Sequence, residues 1–307
     1  MEEEVSHKMD LLEIHAKDPK FHVLFIPGNP GVISFYLDFL ESLYDLLDGT
    51  ASVTAISHIA QTEKNWERGR LFSLQEQTDH KINFIEHELQ DVEVPIVLVG
   101  HSIGSYISLD IFKRFQGKVA YCICLYPFLA VNTKSSTQSV IKKIAASRTL
   151  STGLSSIVAI LGLLPAWISR ILVKNSVGKS WCAAAVEALC SHVLRYHTVQ
   201  NILYMAMTEF EKLSEVPDWS FMREKKSQMA FLFGVDDHWS PLDLYEEIYC
   251  VYDVMLMLDP AMTSILKLFM LYHHFESAAQ AVSLALLSSC IVEGCKNQFD
   301  EFLGDKF

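Results

Sequence analysis

Between Phe21 and Tyr126 the apolar residues arrive in short unbroken runs, and the runs are separated by stretches with helical spacing. Phe21–Ile26, Ala51–Ser57, Val94–Val99 and Val119–Tyr126 are the runs. Their length and their β-branched content predict strands buried on both faces. Val32–Leu47, Leu74–Leu89 and Ile103–Phe115 are the intervening helices, the second of them polar on one side. Turn formers punctuate the series: Pro27-Gly28-Asn29-Pro30-Gly31 ends the first run, Gly49 closes the first helix and Pro127 stops the last run. The polar start of the chain holds one weaker strand candidate, Met9–Ile14. Strands alternating with helices predict an α/β class, with a mostly parallel sheet covered on both sides.

The alternation stops at Pro127. Helical patterns run to residue 228, and strand rhythm resumes at Met229–Gly234. This divides the chain into four parts. Residues 1–126 are the N-terminal part of the core, and 127–228 a helical cap inserted before the next core strand. Residues 229–248 hold that strand and the loop after it, and 249–307 form a divergent apolar tail. A helical block between two core strands predicts a cap over the functional edge of the sheet. Within it Leu150–Val173 carries no charge before Arg170 and is interrupted by Pro165. Lys142, Lys143 and Arg148 precede it, and Lys174 and Lys179 follow. A straight spanning helix needs about 20 apolar residues, and Pro165 prevents one. A kinked hairpin or interfacial helix with snorkelling cations is expected. An apolar wall for a lipophilic substrate tunnel is compatible with the same pattern.

Composition narrows the classes. The 307 residues are 50% hydrophobic and carry a formal charge of −12, which argues against nucleic acid as a partner. The acidic start Met1-Glu2-Glu3-Glu4 lacks the positive region of a secretory leader. Seven cysteines without paired zinc spacing read as buried reduced thiols, with no metal and no cofactor expected.

The chemistry concentrates in Gly100-His101-Ser102-Ile103-Gly104, directly after a buried strand and directly before a helix. A chance match of these five residues in a glycine loop is the plainer reading. The strand in front and the helix behind decide for a nucleophile elbow, in which Ser102 is held in a strained turn at the carboxyl end of its strand. Acyl transfer then requires oxyanion donors, a base and an acid that orients it. The Ile103 N–H, just after the serine, is one donor. Asn29 is the other, because Pro27 and Pro30 in its loop have no N–H. In Phe233-Gly234-Val235-Asp236-Asp237-His238, the acid of such hydrolases stands three residues after the glycine, which selects Asp237 and leaves Asp236 as a turn residue. The base belongs further on. His274 is preferred over His273, while His238 adjoins the acid and His101 reads as a structural ring under the elbow.

Together these blocks resemble the lipid droplet-associated hydrolase family of serine α/β-hydrolases. The resemblance rests on Phe25–Gly31, Phe35-Tyr36, Ile56-Ser57-His58, Leu74 with Gln77–Lys81, Gly100–Tyr106 and Phe233–Pro241, and it spans about Phe21 to Ile248. It implies the α/β-hydrolase fold with a helical cap insertion, and Ser102 and Asp237 as nucleophile and acid. It also implies a lipophilic sterol or acyl ester as substrate, and a lipid droplet or endoplasmic-reticulum membrane surface as partner. From Tyr249 onward the sequence departs from the family's histidine block. That departure motivates a second expectation: a droplet surface protein that keeps the fold and has lost turnover.

Overall fold

A computed structural model describes residues 11–62, 69–176, 181, 183–233 and 239. The core elements follow in the order β1 (Leu11–Ile14), β2 (Phe21–Ile26), α1 (Leu37–Leu46), β3 (Ala51–Ile56), α2 (Leu74–His87), β4 (Ile96–His101), α3 (Ile103–Arg114) and β5 (Val119–Leu125). Six helices come next: α4 (Ser136–Ala146), α5 (Arg148–Gly162), α6 (Ala166–Ser176), α7 (Ala183–Ala188), α8 (Tyr196–Lys212) and α9 (Trp219–Glu224). A π-helical turn, Leu189–Val193, continues α7. The strand β6 (Met229–Leu232) closes the series.

The strands form one sheet in the order β1-β3-β2-β4-β5-β6. The weak N-terminal candidate is the edge strand β1, antiparallel to β3. All other neighbours are parallel. Alternate side chains explain why the runs are apolar throughout. Val23, Phe25, Val97, Val99, Ile123 and Leu125 face a core built with α1, whereas Leu24, Ile26, Ile96, Leu98, Cys122 and Cys124 face a second core built with α2 and α3. Both faces of the sheet are therefore covered, as its continuous hydrophobicity demands.

Two elements differ from the sequence pattern for identifiable reasons. Val32–Leu47 is not one helix. A 3-10 turn at Ile33–Phe35 precedes α1, and Tyr36 between them leaves helical geometry at φ −113°. The buried Tyr36 ring is committed elsewhere, as described below. The strand expected at Val94–Val99 starts later and extends through His101. Pro95 has no N–H for the ladder, and its carbonyl accepts the His22 N–H instead. At α2 the helix start is fixed by a capping box. Ser73 Oγ accepts the Glu76 N–H while the Glu76 carboxylate accepts the Ser73 N–H.

Between β5 and β6 the described residues form helices and turns. Helix α8 ties this block to the core. Asn201 accepts the Phe72 N–H at 3.0 Å, Thr208 Oγ1 accepts the Leu74 N–H at 2.9 Å, and Gln200 donates to Ser155 on α5. Pro165 separates α5 from α6, so the apolar segment is two short helices. Their outer side stays uncovered. Leu150, Ile157, Ile160, Leu161, Leu163, Trp167, Ile171 and Leu172 are all exposed, Leu163 at 84%. Among the described residues no single helix is long and apolar enough to cross a membrane, and only α4 with α5, bent by 96°, passes by length and composition together. Cys122, Cys124 and Cys190 are free thiols.

Candidate active site

The strand order reverses between β2 and β4. From β2 the chain winds outward to β3, and from β4 it winds the other way to β5. A crevice opens outside the carboxyl ends of strands at such a switch point. Here the two ends are Ile26 and Gly100, which pair in register. They continue into Pro27–Gly31 and into His101-Ser102, so the loop and the serine lie side by side at the crevice.

Ser102 adopts φ 53°, ψ −121°. An L-residue is strained there, and the surroundings hold it. Its N–H donates to Leu125 O at 2.9 Å, and its carbonyl accepts from Ser105 N at 3.0 Å and Phe128 N at 3.1 Å. The flanking glycines are required by close approach. A Cβ on Gly100 would stand 2.4 Å from Gly104 O, and one on Gly104 would stand 2.3 Å from Ile26 O. Strand, helix and the neighbouring loop thus meet backbone to backbone around the serine. Gly28 presses from the other side, where a Cβ would come within 3.2 Å of Ser102 Cβ.

His101 lies under the elbow and is buried. Its Nδ1 is 2.9 Å from Tyr36 Oη, which also accepts the Gly28 N–H at 3.3 Å. Burial lowers the His101 pKa to about 3 and raises that of Tyr36. The ring is therefore neutral and positions the loop against the elbow. This explains the break before α1: Tyr36 leaves the helix to reach both partners.

The loop that carries Asn29 is held from three directions. The Asn29 side chain turns toward α8 and donates to Ile202 O at 3.0 Å and Glu209 Oε1 at 2.9 Å. Gln61 reaches Asn29 Oδ1 at 3.4 Å, and its own Oε1 accepts the Gly31 N–H at 2.6 Å. Gly31 O accepts the His58 N–H, and Ser57 Oγ accepts the Ile33 N–H. Those residues after β3 are themselves fixed by α2. Gln77 bonds Ile59 through both backbone groups, and the fully buried Lys81 donates to Ser57 O at 2.9 Å. Burial lowers the Lys81 pKa far below that of a surface lysine. Among the described residues no acceptor takes the Asn29 N–H. Ile103 opens α3, where N–H groups lack intrahelical partners and the helix dipole favours negative charge.

The structure therefore brings together Ser102, Ile103 and the Asn29 loop. Asp237 and His274, with the alternatives Asp236, His238 and His273, lie outside the described residues. Among the described residues no imidazole or carboxylate hydrogen-bonds Ser102 Oγ, and no group of His, Cys, Asp or Glu could hold a metal ion. Trp239 is described. Its ring packs on Phe128 at 5.1 Å, and its carbonyl accepts from Gln138 at 3.3 Å. The sequence pattern did not single out Gln61 or Glu209, and it marked Tyr36 only as part of a resembling block, with no role attached. For Glu209 a signal existed: Ile202, Met205 and Glu209 share one apolar stripe of α8, and a carboxylate in such a stripe requires a partner.

A family model described as lipid-droplet associated hydrolase matches residues 19–275. The matched span includes His273 and His274, so the resemblance extends beyond Ile248, where the sequence pattern placed its end. A lipid droplet-associated hydrolase of Dictyostelium discoideum is 29% identical over 243 residues, covering 75% of this chain and 76% of that protein. Among solved structures, a hydrolase from Oleispira antarctica aligns with a TM-score of 0.56 at 13% identity, covering 89% of this chain and 97% of its own. An α/β-hydrolase from a deep-sea metagenome aligns with a TM-score of 0.54 at 10% identity, covering 94% and 96%. The structural likenesses are of fold, and the fold is that of the α/β-hydrolases.

Proposed function

The chain belongs to the lipid-droplet associated hydrolase family, and from that premise we propose that it is a serine ester hydrolase acting on a lipophilic ester at a lipid surface. The observation that carries the reading is the Ser102 elbow, strained at φ 53° and packed between Gly28, Gly100 and Gly104. Ser102 Oγ attacks the ester carbonyl as His274 takes its proton. Asp237 orients the imidazole, and the N–H groups of Ile103 and Asn29 receive the oxyanion. The proton on His274 then passes to the departing alcohol, and water repeats the sequence to release the acid. Two observations support the last two members. The family match includes His274, and Trp239, two residues after Asp237, packs on Phe128, whose N–H bonds Ser102 O.

The lipid surface is assigned to α5 and α6. Their uncovered apolar side exceeds what a soluble surface exposes singly. Each such side chain entering lipid contributes about 1.5–3 kcal/mol. Lys142, Lys143, Arg148 and Lys174 flank or border the apolar segment along the chain and are exposed, while Arg170 is engaged by Glu187 at 2.6 Å and is less available to a headgroup. The droplet or the cytosolic face of the endoplasmic reticulum is the membrane in question, and a sterol or acyl ester the substrate class.

Hydrolysis of a p-nitrophenyl ester by the full chain, with Ser102→Ala, Asp237→Asn and His274→Ala beside it, tests the mechanism. Turnover is expected from the wild type and is expected to fall by about 10³-fold or more in Ser102→Ala. Equal turnover in Ser102→Ala would overturn the assignment. Absence of turnover in every protein, with droplet coating intact, would favour a surface protein that keeps the fold.

A further inference from the structure

Glu209 has no role in the mechanism above, yet it is buried, at 4% exposure, on the side of α8 that meets the Asn29 loop. A carboxyl in such a place has to be bonded or it destabilises the fold. The Asn29 side-chain amide donates to it at 2.9 Å. The same amide donates to Ile202 O about two turns earlier on α8, so two acceptors of one helix grip one side chain. The amide is thus turned to α8, while the preceding residue of the loop, Gly28, lies against the elbow, where a Cβ would come within 3.2 Å of Ser102 Cβ. Gln61 completes the arrangement by joining Asn29 Oδ1 to the Gly31 N–H.

We propose that Glu209 is a positioning residue that clamps the oxyanion loop to α8 through Asn29, so that the placement of the helical block sets the geometry of the oxyanion hole. The proposal rests on reading Ser102 as the nucleophile and the Asn29 N–H as an oxyanion donor. Through the Gln200–Ser155 bond, α8 also carries α5, so the clamp connects the apolar outer helices to the loop. Burial pushes the Glu209 carboxyl up to about 8. At neutral pH it is mainly an uncharged acid, and glutamine reproduces its size and its acceptor oxygen.

The test compares full-length wild type, Glu209→Gln and Glu209→Leu by two readouts. The first is the rate of labelling by a fluorophosphonate, resolved into inactivation rate and probe affinity. The second is amide hydrogen exchange across the chain. Glu209→Leu is expected to slow inactivation by roughly ten- to a hundredfold with probe affinity unchanged, and to speed exchange in the peptide covering residues 25–33 only. Glu209→Gln is expected to restore both. Wild-type behaviour of Glu209→Leu in both readouts would overturn the clamp. So would equal damage in Glu209→Gln, which keeps the acceptor, and so would faster exchange throughout the chain, which marks a general structural role. If the wild type is not labelled, the serine-hydrolase reading fails, and the exchange readout still decides whether Glu209 holds the loop.

Discussion

Two regions of this molecule are equally rich in apolar residues and treat them in opposite ways. From Ile96 to Phe112, across β4 and α3, every large aliphatic or aromatic side chain except Tyr106 and Leu109 is buried, and the elbow sits in the middle. From Leu150 to Leu172, across α5 and α6, most of them are exposed. Hydrophobic pattern alone does not distinguish the two. The difference lies in what surrounds each: β4 has parallel neighbours on both sides and helices on both faces, whereas α5 and α6 have packing partners on one side only. Where apolar surface is covered from all directions, the chain can sustain a strained serine. Where one side is left open, the apolar side chains stay exposed, and a lipid surface is the proposed cover.

Substitutions should separate the regions, beginning with the largest effect. Gly104→Ala places a Cβ within 2.5 Å of two carbonyl oxygens, Ile26 O and Pro27 O. Overpacking against backbone costs about 3 kcal/mol, and it pushes the loop from the elbow. Chemical denaturation should show that loss, and ester turnover should fall with it. A smaller loss is expected for Tyr36→Phe. It removes the hydroxyl that the Gly28 N–H and His101 share, and leaving buried partners unbonded costs about 1–3 kcal/mol. Thermal melting would register it, and an unchanged Tm would show the hydroxyl to be dispensable.

The pH dependence of stability probes the clamp region. In the folded chain Glu209 holds its proton to about pH 8, whereas the unfolded chain releases it near the ordinary value of 4.5. The unfolded state thus binds fewer protons between these values, and stability falls as pH rises through that window. Melting of the wild type against Glu209→Gln should show the wild type losing ground from pH 5 to pH 8 and no further change in this difference above it. A difference independent of pH would contradict the burial of an ionisable group there.

The smallest effect on stability belongs to the open side. Leu163→Ser with Trp167→Ser should change stability by no more than about 0.5 kcal/mol, because both side chains are already exposed. Flotation with droplets should nevertheless drop sharply. Retained flotation would show that lipid is met elsewhere, and the apolar tail around Ile265–Tyr272 becomes the next segment to delete.

Much of this was legible in the sequence, and the reasons are local. The apolar runs gave the strands because a doubly covered parallel sheet leaves no polar face. The elbow was readable because Gly100, Ser102 and Gly104 are each dictated by one close approach or one strained dihedral. Pro165 announced the break between α5 and α6. The supports of the loop were not legible, because they depend on pairs distant in the chain. Glu209 meets Asn29 across 180 positions, and Tyr36 meets His101 across 65. A helical pattern over Val32–Leu47 cannot reveal that Tyr36 leaves the helix for a tertiary partner. The side on which α5 and α6 stay uncovered is likewise a property of packing and not of spacing.

The proposed chemistry depends first on Ser102 being the reacting group of this fold. Treating the full-length protein with a fluorophosphonate and locating the adduct by tandem mass spectrometry tests it most directly. A single phosphonylated residue, Ser102, is expected, with no adduct in Ser102→Ala. An adduct on any other residue, or one that persists in Ser102→Ala, would contradict it.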